Sequence, residues 1–190
     1  MPLLRTFSII AATLICSITS FPAHASAGNA WEIWKQGDTH ALMRHAIAPG
    51  TGDPANFTLD DCSTQRNLDD LGRNQARRTG DRIREMGIEI NLVLSSQWCR
   101  CIDTASLLAL GPVRPEPSLN SFFADRSTEQ QQTRQIADLL ATLPSGTKAM
   151  LVTHQVNITA LTGIYPKSGE IILIRVTKTG DIEILARLMP

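Results

Sequence analysis

The sequence lacks net charge. Its 190 residues carry 18 basic and 18 acidic side chains, which gives a formal charge of zero at pH 7. A balanced chain has no overall field that would draw it to nucleic acid or to an anionic membrane, so we expect neither as a partner. Aromatic residues are also few, at 5%, and no segment has the composition of an acyl-binding run. The composition therefore gives no support for a lipid-tail substrate.

A long hydrophobic run is missing as well. The most apolar stretch covers about residues 7–21, follows Arg5 and ends at a proline, which is too short to span a bilayer comfortably. Residues 23–25, Ala-His-Ala, have the small-x-small pattern of a signal-peptidase site. We expect residues 1–25 to be a cleaved signal peptide, with the mature protein periplasmic or secreted. An uncleaved anchor is the alternative.

Cysteine is scarce in the expected mature chain, which contains Cys62, Cys99 and Cys101. In an oxidising compartment, three cysteines favour one disulfide and one remaining thiol. Cys99 and Cys101 are poorly placed to pair with each other, so we expect Cys62 to be one partner. The cysteines show neither a CxxC nor an HxxxH spacing, which argues against zinc, and we predict no metal.

Residues 26–190 are long enough for one α/β domain and too short for two of comfortable size. Apolar residues make up 43% of the chain, as in globular proteins, and the sequence shows no repeat or low-complexity segment. We therefore predict one domain in which short apolar strands alternate with helices.

Three short apolar runs are followed by residues that can carry chemistry. These runs are residues 41–43, 91–95 and 148–153, and the residues that follow them are Arg44 with His45, Arg100, and His154. In open α/β sheets, ligands bind at the carboxyl ends of the strands. The planar guanidinium group of arginine matches phosphate oxygens, and a neutral histidine can act as a nucleophile. The sequence therefore predicts a cationic pocket at this edge of the sheet.

A long loop is predicted directly after the first of these strands. Residues 47–64 are rich in Pro, Gly, Asp and Asn, and loops of that length in compact domains are usually functional or disordered. Because this loop leaves from Arg44 and His45, we expect it to form a wall of the pocket.

The predicted pocket suits phosphoryl transfer, which needs positioning and charge stabilisation of the phosphoryl oxygens. Arg44 and Arg100 can bind these oxygens, and His154 can donate a further hydrogen bond. His45 is then available for in-line attack on phosphorus, which gives a phosphohistidine that water cleaves. The arginines supply the positive charge, so the scheme needs no metal and no cofactor.

These residues resemble the hallmarks of the histidine phosphatase superfamily. Its Arg-His-Gly motif stands here as Arg44-His45-Ala46, and its serine–arginine–Thr-Ala motif is matched by residues 96–105. The second histidine of the family is matched by His154, and residues 68–76 resemble the helix that follows the catalytic loop. The four motifs occur in the family's order across the expected mature chain.

The resemblance implies a three-layer α/β/α fold with a mostly parallel central sheet. It implies that His45 is the phosphorylated nucleophile and that Arg44, Arg100 and His154 form the phosphate pocket. Arg66 is either a further lining residue or a surface charge. The resemblance also favours a Cys62–Cys99 disulfide, because both cysteines flank segments that this fold would bring to the pocket.

The general acid that protonates the leaving oxygen departs from the family pattern. Acid phosphatases of the superfamily have an aspartate directly after the second histidine, and this chain has Gln155. Mutase-like members have a glutamate in a segment that corresponds here to residues 119–126, which contain none. Asp125 is the nearest candidate acid and Glu129 the next, with a plain surface role as the alternative for each.

The sequence therefore predicts an exported, metal-independent phosphomonoesterase that hydrolyses a small phosphate ester through phosphohistidine. A sugar phosphate or an envelope-associated phosphate is the expected substrate class. The alternative is a phosphate-binding protein of the same fold with weak or lost catalysis. A mutase is disfavoured by the missing glutamate and by the predicted export. The sequence leaves the physiological substrate and the oligomeric state open.

Overall fold

The computed structural model describes residues 27–177 and 180–190. The predicted signal peptide lies outside these residues. In the described part of the chain, no helix is long and apolar enough to cross a membrane.

Five α-helices and six strands make up the domain over the residues described. The helices are α1 (Ala27–Lys35), α2 (Asp70–Glu85), α3 (Cys99–Leu108), α4 (Glu129–Ala141) and α5 (Gln155–Thr162). The strands are β1 (His40–Arg44), β2 (Leu92–Ser95), β3 (Val113–Pro115), β4 (Ala149–Thr153), β5 (Ile171–Val176) and β6 (Ile182–Leu188). Short 3₁₀ helices cover Cys62–Thr64, Pro117–Leu119 and Arg126–Thr128.

The strands form one sheet in the order β3-β2-β4-β1-β5-β6. Strands β3, β2, β4 and β1 pair in parallel, β5 pairs with β1 in the antiparallel sense, and β6 closes a hairpin with β5. The predicted mostly parallel sheet is confirmed. The parallel strands place the ends of β1, β2 and β4 at one edge.

Side chains along the central strands alternate between two apolar cores. Met43 packs with residues of α1, α2 and α3, whereas its neighbour Leu42 packs with residues of α4 and α5 on the other face. Both side chains are fully buried, and each such burial contributes about 1.5–3 kcal/mol to stability. The sheet is therefore covered on both faces, which confirms the three-layer α/β/α fold.

Helix α2 packs closely against the segment that follows β1. Its N-cap residue, Asp69, accepts a hydrogen bond from the backbone N–H of Gly72 at 2.7 Å. A Cβ atom at Gly72 would collide with the backbone carbonyl of Ile47, so the first turn of α2 can approach this backbone only with glycine there. This contact fixes the chain just beyond His45.

Candidate active site

His45 follows β1 directly, and backbone carbonyls of two other residues set its orientation. Its N–H donates to the carbonyl of Thr153 at 2.9 Å, and its ring Nδ1 lies 2.8 Å from the carbonyl oxygen of Ala46. A carbonyl can only accept, so Nδ1 carries the proton and Nε2 keeps its lone pair. Burial, followed by the charge of Arg100, lowers the pKa of His45 to about 3. The ring is therefore a neutral base at physiological pH.

Arg44 and Arg66 bring two guanidinium groups to His45 from different segments. Arg44 donates from Nη1 to the carbonyl of Pro166 at 2.9 Å, and its buried Nε has no partner among the described residues. Arg66 donates to the carbonyls of Gly52 and Ala48 at 2.7 and 2.5 Å. Burial lowers the pKa of both arginines, and the charge of Arg100 lowers both further. The site concentrates positive charge at an electrostatic cost.

Arg100 lies in the first turn of α3 and pairs with Asp53. Its Nη1 and Nη2 donate to the two carboxylate oxygens at 2.6 and 3.1 Å, and the two side chains are only 3% and 16% exposed. Burial alone would raise the pKa of Asp53, but the hydrogen bonds and charge of Arg100 outweigh it and lower the pKa. Asp53 is therefore ionised in this arrangement.

His154 follows β4, and its ring centre lies 5.5 Å from that of His45. Its Nδ1 is 3.4 Å from Nη2 of Arg100, and its Nε2 is 2.8 Å from Oγ of Ser96. Because a guanidinium can only donate, Nδ1 accepts and Nε2 carries the proton. Burial, then His45 and Arg100, hold the pKa of His154 well below its ordinary value, so this ring is also neutral.

Thr104 explains the spacing between Arg100 and the Thr-Ala pair of the motif. Its hydroxyl accepts a hydrogen bond from the backbone N–H of Ala46 at 3.1 Å and donates to the carbonyl of Arg100 at 2.6 Å. One helical turn of α3 therefore connects Arg100 to the backbone beside His45.

The predicted Cys62–Cys99 disulfide is present. It joins the end of the long loop to the first residue of α3, next to Arg100. Gln65 supports the same junction, because its side-chain oxygen accepts the backbone N–H of Cys99 at 2.9 Å. The third cysteine, Cys101, is free and buried. Burial raises the pKa of its thiol to about 12, so this thiol stays protonated.

The three arginines, the two histidines and Asp53 line one cavity of about 520 Å³. The structure brings together five of the predicted site residues, and the long loop forms one wall of the cavity. The five predicted residues are Arg44, His45, Arg66, Arg100 and His154. Aromatic side chains also line the cavity: Phe57 stacks on Trp98 at 5.1 Å between ring centres, and Phe123 and Tyr165 are exposed. The cavity thus combines a cationic part with an aromatic part.

The structure does not bring Asp125 to this cavity. Its side chain is fully exposed and accepts the backbone N–H of Ser127 at 2.9 Å, which caps the short helix Arg126–Thr128. Glu129, the second candidate acid, pairs with Arg126 at 2.7 Å instead. Neither carboxylate lines the cavity, so the structure does not support Asp125 or Glu129 as the general acid.

Asp53 is the residue of the site that the sequence analysis missed. It lies in the loop predicted to form a pocket wall, 47 positions before its partner Arg100. The sequence feature that could have identified it is an acidic residue in the loop that begins just after Arg44 and His45. That feature gives no indication of which arginine, if any, such a residue would pair with.

Comparisons with known proteins agree with the fold described above. A sequence model of the histidine phosphatase superfamily (branch 1) matches residues 41–137. No curated protein matches the chain. The protein histidine phosphatase SixA, solved with tungstate, is 16% identical over 80% of this chain and 97% of its own, with a TM-score of 0.56.

Two further phosphatases share the fold. A mycobacterial glucosyl-3-phosphoglycerate phosphatase, solved with VO3, is 16% identical over 78% of this chain and 98% of its own, with a TM-score of 0.56. A phosphoserine phosphatase from Entamoeba histolytica, solved with 3-phosphoglyceric acid, is 13% identical over 80% of this chain and 97% of its own, with a TM-score of 0.55. At these identities the likeness establishes the fold.

Proposed function

Because the chain belongs to the histidine phosphatase superfamily, we propose that it hydrolyses phosphate monoesters through a phosphohistidine formed on His45. The proposal rests mainly on the protonation state and the surroundings of His45. His45 is neutral, its Nδ1 is held by the carbonyl of Ala46, and its Nε2 lone pair belongs to a ring that lines a cavity with three guanidinium groups. A nucleophile is thereby placed beside groups that bind phosphoryl oxygens.

The reaction has two steps at the same phosphorus atom. In the first, Nε2 of His45 forms a bond to phosphorus while the bond to the ester oxygen breaks. In the second, a water oxygen bonds to phosphorus, the N–P bond breaks, and inorganic phosphate leaves. Arg44, Arg66 and Arg100 stabilise the charge on the phosphoryl oxygens in both transition states. Besides water, this scheme uses only side chains of the protein and invokes no cofactor.

The substrate in this proposal is a small phosphate ester such as a sugar phosphate or an envelope-associated phosphate. A cavity of about 520 Å³ lies within the usual range for small-molecule sites. Phe57, Phe123 and Tyr165 give the cavity an aromatic lining on which the apolar face of a sugar ring can pack. The positive charge of the inner part suits the phosphoryl end.

Export to the periplasm or the medium is part of the proposal, with residues 1–25 as the cleaved signal and 26–190 as the mature domain. The composition of the N-terminal segment and the disulfide between Cys62 and Cys99 support it, since disulfides persist in oxidising compartments. Cell fractionation with N-terminal sequencing tests this part. A cytoplasmic protein that retains residues 1–25 would contradict it.

A phosphate-binding protein without turnover is the second candidate, and one observation favours it. Gln155 stands where acid phosphatases of the superfamily carry the proton donor. Such a protein would bind inorganic phosphate with the same arginines but would release no alcohol from an ester.

Steady-state hydrolysis of p-nitrophenyl phosphate by the mature chain, with EDTA present, tests the enzymatic proposal. Wild type is compared with His45→Asn. This variant keeps a polar side chain at position 45 but removes the nucleophilic ring nitrogen. We expect wild-type turnover and a loss of at least about 10³-fold in the variant, because a covalent route loses its attacking atom.

Arg114→Gln is the matched control, because Arg114 is exposed on the edge strand β3. It should retain wild-type activity. Wild-type activity that survives in His45→Asn would contradict the phosphohistidine route. Phosphate binding without turnover of any ester would favour the second candidate.

A further inference from the structure

Asp53 is the one acidic side chain that lines the cavity within the part of the chain that the structure describes. Its carboxylate accepts four hydrogen bonds: two from the guanidinium of Arg100, one from the indole of Trp98 and one from the backbone N–H of Arg66. The negative charge of Asp53 opposes the binding of an anionic substrate to Arg100, so we expect this side chain to have a function that offsets the cost.

Arg100 is nearly saturated by groups of the protein. Besides Asp53, its Nη1 lies 3.3 Å from the carbonyl of Arg66, and its Nη2 lies 3.4 Å from Nδ1 of His154. Its buried Nε has no partner among the described residues. A phosphoryl group that binds Arg100 therefore either uses Nε or displaces an oxygen of Asp53. In both cases the carboxylate and the phosphoryl oxygens share one cationic cluster.

We propose that Asp53 is the general acid that protonates the leaving oxygen of the ester, in the role that neither Gln155 nor Asp125 can fill. This inference rests on the proposed phosphatase function. Asp53 meets the requirement of position, because it lines the same cavity as His45 and the three arginines. It also meets the requirement of chemistry, because a carboxyl group can give a proton and take it back.

The proton reaches Asp53 with the substrate. A phosphate monoester has its second pKa near 6, so near neutral pH part of the ester arrives as the monoanion. Two neighbouring anionic groups disfavour full ionisation of both, as in paired carboxylates. Once a phosphoryl oxygen displaces Asp53 from Arg100, the contacts that lower the pKa of Asp53 are lost and the phosphoryl group gains them. The shared proton then moves from the phosphoryl oxygen to the carboxylate of Asp53.

The cycle then balances. As Nε2 of His45 bonds to phosphorus, the P–O ester bond breaks, the leaving oxygen takes the proton of Asp53, and the alcohol departs. Water next attacks the phosphohistidine and gives one proton to the carboxylate of Asp53. The N–P bond breaks, phosphate leaves, and the proton on Asp53 passes to the departing phosphate. The enzyme returns to its starting state.

The test compares Asp53→Asn with wild type on two esters of nearly the same size, p-nitrophenyl phosphate and phenyl phosphate, and on glycerol 2-phosphate. The nitrophenolate ion is a much weaker base than phenolate and leaves without a proton, whereas an alkoxide requires one. We expect kcat/KM of the variant to fall by a few-fold at most with the nitrophenyl ester and by about 10²-fold or more with glycerol 2-phosphate. Phenyl phosphate should give an intermediate loss.

Asp60→Asn is the matched control, because Asp60 is exposed in the same loop and does not line the cavity. It should behave as wild type with all three esters. Asp125→Asn tests the competing candidate, and a loss that depends on the leaving group in this variant would overturn the proposal.

A structural role for Asp53 gives a different pattern. If the side chain only positions Arg100, Asp53→Asn should lose the same factor with every ester, and that result would overturn the proposal, as would no loss with any ester. A wild type that hydrolyses none of the esters would instead contradict the phosphatase function itself.

Discussion

The strand ends and the long loop both contribute charged groups to the cavity, but they are held in different ways. Arg44 is the last residue of β1, and His45 and His154 directly follow β1 and β4, which are parallel strands whose register is fixed by the sheet. Asp53 and Arg66 lie on a segment without regular pairing, held by hydrogen bonds to backbone carbonyls, by the ion pair with Arg100 and by a disulfide. One region is positioned by the core and the other by a few polar or covalent links.

This difference separates two functions within one cavity. In the proposed mechanism, the strand ends supply the nucleophile and part of the phosphoryl site. The loop supplies Asp53, the proposed proton donor, and the aromatic side chain of Phe57. We therefore expect changes in the loop to alter the response to the leaving group, and changes at the strand ends to abolish phosphoryl transfer.

Removal of the disulfide gives the larger of the two expected effects on stability. In the double variant Cys62→Ser/Cys99→Ser, the unfolded chain gains the freedom of a closed loop that spans a sequence separation of 37 residues. We expect the free energy of unfolding to fall by roughly 2–4 kcal/mol, measured by urea denaturation. Because the link lies next to Arg100, the ion pair with Asp53 should also loosen.

A reducing agent provides the matched control for this prediction. Reduction should lower the stability of the wild type to that of the double variant and should leave the variant unchanged. Equal unfolding midpoints for oxidised wild type and the double variant would show that the polar contacts of the loop hold it without the disulfide.

Acid should destabilise the folded protein through the buried, neutral histidines at the strand ends. The pKa of His45 is about 3 in the folded protein, against about 6.5 in an unfolded chain, and the pKa of His154 is lowered as well. Below about pH 6.5 the unfolded state therefore binds more protons than the folded state. The stabilisation from each neutral histidine is complete above that pH and decreases as the pH falls, by up to about 1.4 kcal/mol per pH unit.

Urea denaturation between pH 7.5 and pH 5 measures this slope. His45→Gln should have a shallower slope than wild type, because the variant has one fewer buried group to protonate. His40, whose pKa burial also lowers, contributes to the slope that remains. Identical slopes for wild type and His45→Gln would mean that His45 is not kept neutral by the fold.

Much of this arrangement could be predicted from the sequence. Apolar runs that end in Arg44-His45 and His154 identify buried strands, and parallel strands bring their ends together by geometry alone. The disulfide followed from the resemblance, because Cys62 and Cys99 flank segments that the family's fold brings to the pocket. The mostly parallel sheet and the three layers are properties of the fold that the four motifs already indicated.

The conformation of the loop could not be predicted in the same way. Residues 47–64 have no periodicity that would fix which side chains turn inward. The pairing of Asp53 with Arg100 depends on the path of the whole loop, and so does the stacking of Phe57 on Trp98. Asp125 was the acid in the segment that carries a glutamate in mutase-like members, and in the structure its carboxylate caps its own short helix instead.

The most direct test of the central claim is to trap the intermediate. Wild-type protein is mixed with phosphorus-32-labelled phosphate ester, quenched in base, where phosphohistidine survives, and digested for mapping by mass spectrometry. We predict label on the peptide that contains His45, label that is lost in acid, and no label in His45→Asn. Active wild type that carries no label on His45, or carries it on another residue, would contradict the mechanism.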